Sequence, residues 1–202
     1  MPYNELKQIL KAEFADLYLD EDKWPKAYCG SGKIRAIVLG ADPSNRSDQR
    51  FAYAFGLEDH NSQYFSLIKA NLDVIGVELD EIFVQNVCRN YFVRETSKLP
   101  PRTWLRAASH WIPYLKEELD SHPQLSVDTP VLVTAEIILK ALAPDVHTWR
   151  TRNVDYYRNC TFIEPNQNLL ERKLIPLYRH QDYALGNWGD YAEAVVKALR
   201  RS

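Results

Sequence analysis

The 202-residue sequence contains no apolar run approaching the roughly 18 to 20 residues that a membrane-spanning helix requires. Its first residues, Met1-Pro2-Tyr3-Asn4-Glu5, lack the charged-then-apolar order of a signal peptide, so a cytoplasmic protein with no membrane partner is expected. Cysteine is scarce. Cys29, Cys88 and Cys160 are far apart and form no Cys-x-x-Cys pair, which argues against a disulfide framework, a zinc finger or a four-thiolate cluster. Reduced thiols, and no metal or cofactor, are therefore expected. Glycine is also sparse, with seven residues and no Gly-x-Gly-x-x-Gly. The stretch Gly30-Ser31-Gly32-Lys33 precedes a strand, whereas a phosphate-binding loop follows one. There is no excess of positive charge either: 25 Lys and Arg stand against 27 Asp and Glu, for a net charge of −2. No repeat, low-complexity tract or linker divides the chain, so residues 1–202 read as a single domain, expected to be a monomer.

What is present is an alternation of strand-like and helix-like segments, the pattern of an α/β domain with a parallel sheet. Leu6, Ile9, Leu10, Phe14 and Leu17 recur at helical spacing and predict a first helix from Asn4, its cap, to about Leu19. Strands are predicted at Ile34 to Gly40, Glu81 to Asn86, Pro130 to Thr134 and Lys173 to Arg179. Helices are predicted from about Gln63 to Ile75, Trp104 to Leu119, Ala135 to Ala143 and Tyr191 to Arg201. The expected architecture is a mainly parallel four-stranded sheet with helices on both faces.

In such sheets ligands bind beyond the carboxyl ends of the strands. That rule selects Asp42-Pro43-Ser44-Asn45 after the first strand, Gln85-Asn86 with Arg89 and Asn90 after the second, and Arg179-His180-Gln181-Asp182 after the fourth. An acid, an amide and an imidazole on three strand ends can converge on one substrate. Each also has a plainer role. Asp before Pro is a common turn-former, Asn satisfies loop backbone groups, a Phe such as Phe55 packs in cores, and His180 lies in a polar stretch.

On these motifs the sequence resembles the uracil-DNA glycosylase superfamily. The resemblance rests on a strand followed by Gly40-Ala41-Asp42-Pro43, with Phe55 following Asp42 by 13 positions. It continues with Ile82-Phe83-Val84-Gln85-Asn86-Val87-Cys88-Arg89, with Pro130-Val131-Leu132-Val133-Thr134-Ala135 before a helix, and with Leu177-Tyr178-Arg179-His180. It implies a three-layer α/β/α sandwich that removes uracil or a related damaged base from DNA. Asp42 and His180 would be catalytic, Phe55 would stack on the base, and Asn86 would read its edge, with Ser44 and Asn45 beside them. Ser44 stands where the best-known branch has a Tyr that blocks thymine's methyl group, and Gln181-Asp182-Tyr183-Ala184-Leu185 replaces that branch's leucine wedge. Single-stranded DNA is therefore the expected preference.

Breaking an N-glycosidic bond produces a cationic sugar and an anionic base, so the chemistry needs a carboxylate near the sugar and a donor at the departing oxygen. Between Asn86 and His110, Arg89, Arg94, Lys98, Arg102 and Arg106 face only Glu95, a local charge of +4. Arg89 and Arg94 are the expected backbone contacts, with Tyr91, Phe92 and Trp104 interleaved as stacking surface or as core. Two other readings remain. One is a catalytically silent relative that binds a nucleobase or nucleic acid, and the other a hydrolase of free nucleosides or nucleotides.

Overall fold

The run Ala36-Ile37-Val38-Leu39 is apolar without alternation, and the reason is its place in the sheet. A computed structural model describes residues 3–21, 23–44, 50–60, 62–94 and 96–200. Strand β2, Ala36–Gly40, is buried at all five positions, as is β3, Ile82–Asn86. Successive side chains point to opposite faces, so both faces of the sheet are covered here. β4, Val131–Val133, and β5, Leu174–Pro176, are shorter and equally buried.

These four strands pair in parallel in the order β3-β2-β4-β5. The register sets Gly40 beside Asn86, Leu39 beside Val133, and Val133 beside Pro176, so the carboxyl ends finish at one level. The chain leaves β2 for β3 on one side and reaches β4 on the other, which opens a crevice at the strand ends.

The sheet differs from the expected four strands by a fifth, β1, Tyr28–Cys29, which runs antiparallel along the outer edge of β3. Two residues are too short to show a periodic pattern. The glycines that follow are explained by the same edge. The Gly30 N–H donates to the Ile82 carbonyl at 2.9 Å and the Gly32 N–H to that of Asp80 at 2.7 Å, and a Cβ on Gly30 would lie 2.3 Å from the Asp80 oxygen. Gly30-Ser31-Gly32 is thus a docking turn.

Among the described residues six α-helices surround the sheet: α1 Asn4–Glu13, α2 Ser66–Val74, α3 Pro101–Ser121, α4 Glu136–Leu142, α5 Asn153–Asn159 and α6 Gly189–Leu199. Helix α3 packs on α1 and α4, and α5 on α6. Helix α1 stops six residues before the expected Leu19 because the chain then pairs with the segment after β3: the Leu19 N–H donates to the Tyr91 carbonyl and the Val93 N–H to that of Leu17. Asn4 is the first helical residue rather than the cap, which is Tyr3 and makes no side-chain capping bond. Helix α5 was not expected, because seven residues with Tyr156 and Tyr157 buried carry too little periodicity, and its stop is Cys160 in the left-handed region (φ 49°) instead of a glycine. No described helix is long and apolar enough to cross a membrane.

Candidate functional site

A cleft of about 440 Å³ lies at the carboxyl ends of the parallel strands. That is within the rough 300 to 1,000 Å³ range of small-ligand sites. Asp42, Ser44, Phe55 and Asn86 line it together, as do Thr134 after β4 and Arg179 after β5. The backbone explains the convergence. The β2–β3 ladder continues past both strands, with the Val87 N–H donating to the Gly40 carbonyl at 2.8 Å and the Cys88 N–H to that of Ala41 at 2.9 Å. The turn carrying Asp42 is thereby tied to the segment following Asn86.

Helix α3 holds the carboxylate in place. The Trp104 indole N–H donates to Asp42 Oδ1 at 2.9 Å, and the Thr96 hydroxyl donates to the same oxygen. Trp104 itself is fully buried. The nearby Cys88 thiol is pushed well up, first by burial and then by the Asp42 charge, so it stays a protonated core residue.

Asn86 is 2% exposed, and its backbone N–H is fixed by the Gln85 side-chain oxygen at 2.9 Å. Among the described residues its carboxamide has no hydrogen-bond partner, although it lines the cleft. A buried amide with both a donor and an acceptor turned to a cavity is suited to the edge of a planar polar ligand.

Phe55 reaches the same place by a strained route. Its backbone has φ 59° and ψ 10°, in the left-handed region that a Phe rarely adopts. The conformation is held by the Ser62 hydroxyl, which donates to the Phe55 carbonyl at 2.6 Å, and by the Glu58 carboxylate, which accepts from the Ala52 and Tyr53 N–H groups at 3.2 Å. The ring meets Phe65 edge-on at 5.5 Å. Gly40 lies under both functional groups: a Cβ there would be 2.3 Å from Asn86 Oδ1 and 2.5 Å from Phe55 Cζ. A second aromatic pair, Phe51 and Tyr64 at 5.1 Å, completes the wall.

Other sequence-selected residues lie elsewhere. His180 is not among the residues lining the cleft. Its side chain is 66% exposed, and its Nδ1 accepts from the Asp182 N–H at 3.3 Å, capping the turn Gln181–Tyr183. The physical reason is a bend. Beyond β5 the Leu177 N–H donates to the Val133 carbonyl and the Arg179 N–H to that of Thr134, which ties Arg179 to the strand ends, and the chain then bends at Arg179 and His180 into the turn Gln181–Tyr183. Asn45 lies outside the described residues.

Arg89 is a correction. It is 9% exposed, pairs with Glu118, and lies 5.1 Å from the Tyr3 ring and 5.8 Å from that of Trp111. Its guanidinium is engaged inside the fold. Arg106 is also paired, at the surface, with Glu13 at 2.8 Å, so at least two of the five cations in the basic stretch have acidic partners. Tyr91, Phe92 and Trp104 are core residues, at most 1% exposed. Arg94 is exposed, two residues before Thr96 of the cleft wall.

Sequence reasoning missed Trp104 and Thr96 as partners of Asp42, for which no local signal exists at separations of 62 and 54 residues. It selected the Arg179 stretch but chose the imidazole within it, and the residue of that stretch that lines the cleft is Arg179. Comparison of the chain with protein-family models and with curated proteins finds no match.

Proposed function

We propose that this protein is a uracil-DNA glycosylase-like hydrolase, a three-layer α/β/α domain that cleaves the N-glycosidic bond of uracil or a related damaged base in DNA. The observation that carries this reading is the meeting of Asp42, Phe55 and Asn86 in one cleft, from a strand-end turn, a strained loop and a second strand end. In this reading the Phe55 ring stacks on an extruded base. The Asn86 carboxamide donates to one base carbonyl and accepts from the ring N–H, which distinguishes uracil from cytosine. The Asp42 carboxylate, oriented by Trp104 and Thr96, stabilises the cationic sugar and receives the proton of the attacking water. No step needs a metal or cofactor, and the DNA partner is a single strand or an already unpaired site.

One observation favours a second reading. With Arg89 engaged inside the fold and Arg106 paired with Glu13 at the surface, fewer cations are open to a phosphate backbone than the sequence implies. A hydrolase of free nucleosides or nucleotides needs fewer. The test is strand cleavage after alkali of oligonucleotides carrying uracil, hypoxanthine or a thymine mismatch, in parallel with base release from free deoxyuridine. Cleavage of the oligonucleotides supports the glycosylase. Release from the nucleoside alone supports the second reading, and tight binding with neither product supports a silent relative.

A further inference from the structure

The electron pair of the broken glycosidic bond must go somewhere, and among the described residues the cleft offers one positive group to receive it. We infer that Arg179, in place of His180, stabilises the negative charge on the departing base; this rests on the glycosylase reading. Among the described residues that line the cleft, Arg179 is the only cation. Its position is set by the fold, since its backbone N–H donates to the Thr134 carbonyl at 3.0 Å, beside the carboxyl end of β4. Its guanidinium Nη1 reaches the Tyr64 carbonyl at 3.4 Å, so the side chain extends from the end of β5 to the aromatic wall of the same cleft. His180 projects to solvent and is occupied with the turn it caps.

The bond between the sugar C1′ and the base nitrogen breaks with both electrons leaving on the base, where they spread onto its carbonyl oxygens. The oxocarbenium sugar takes up water at C1′, and the water's proton passes to Asp42 and on to solvent. The base anion later takes a proton from solvent, so charge and atoms balance without an acid in the bond-breaking step. A guanidinium is suited to this because it stays charged and presents several N–H donors in a fixed plane.

The test is single-turnover release of uracil and of 5-fluorouracil, a better leaving group, from single-stranded oligonucleotides. Arg179→Gln is expected to slow uracil release about 100-fold, the effect of removing one anion-stabilising donor. The same change should slow 5-fluorouracil release much less and leave KM and its salt dependence nearly unchanged. Arg179→Lys should recover part of the loss. His180→Asn should stay within about twofold of the wild type and leave the pH profile without a lost limb near neutrality. The inference is overturned if His180→Asn carries the large loss, or if Arg179→Gln acts equally on both bases through a salt-dependent KM, which marks a phosphate contact. A wild-type protein that releases neither base overturns the glycosylase reading itself, and this assignment with it.

Discussion

Gly40 is the residue on which two cleft-lining groups depend. The Asn86 amide and the Phe55 ring both occupy the space where a side chain at position 40 would begin, and the Phe55 backbone is already in a conformation that costs roughly 1 to 3 kcal/mol. Backbone strain at a cleft wall is sensible where a ring must be held against a ligand. Gly40→Ala is therefore expected to lower stability by about 1 to 3 kcal/mol, the usual cost of overpacking, and to reduce base release more than tenfold. Urea titration and a release assay measure the two effects. A variant with unchanged activity would show that the cleft does not need Phe55 and Asn86 in register. At this scale Asp42 and Asn86 were legible because each sits at the end of an apolar run, where strand geometry and ligand position are linked. Arg89 was not legible. Its partner Glu118 is 29 residues away on α3, and a cation paired inside the fold looks the same in sequence as one on the surface.

Helix α3 joins core and site. Its buried face carries Trp104, Trp111, Leu115 and Leu119, and two of these aromatics also hold polar groups: Trp104 donates to Asp42, and Trp111 donates to Asn90 Oδ1 at 2.8 Å. Trp104→Phe keeps an aromatic ring at the position but removes the N–H aimed at the carboxylate, together with part of the buried ring volume. Turnover is expected to fall about tenfold, roughly 1.4 kcal/mol of barrier, with little change in KM, and steady-state kinetics of base release can check it. An effect confined to KM would contradict an orienting role. Of the elements, α3 was read within a few residues, over 104–119 against the observed Pro101–Ser121, whereas α1 was read six residues too long. Two short ones, β1 and α5, were not read. β1 and α5 owe their existence to tertiary contacts, the first to the free edge of β3 and the second to burial of Tyr156 and Tyr157.

At the scale of the molecule, a buried polar group outside the cleft links α4 to α5. His147 is 1% exposed, its Nδ1 lies 3.0 Å from the Tyr156 hydroxyl, and its Nε2 has no hydrogen-bond partner among the described residues. Burial holds its pKa below the usual 6.5, against the attraction of the Glu136 carboxylate 3.8 Å away. The unfolded chain thus takes up this proton more readily than the folded one. Stability from a neutral His147 is complete above about pH 6.5 and is lost as pH falls through the lowered folded value. Chemical denaturation across pH 5 to 8 should show that limb, and His147→Gln, which does not titrate, should flatten it. The parallel order of the four main strands, with their ends at one level, is what gathers residues 44 positions apart in sequence, Asp42 and Asn86, into one cleft. That juxtaposition is the centre of the functional account, and base release by the wild type and Asp42→Asn from a uracil-containing single strand tests it most directly. The expected result is release by the wild type and a loss of at least 100-fold in the variant, with binding of the oligonucleotide retained, because the amide keeps the shape of the carboxylate and removes its charge. Equal release by the two proteins, or none by the wild type, would contradict the account.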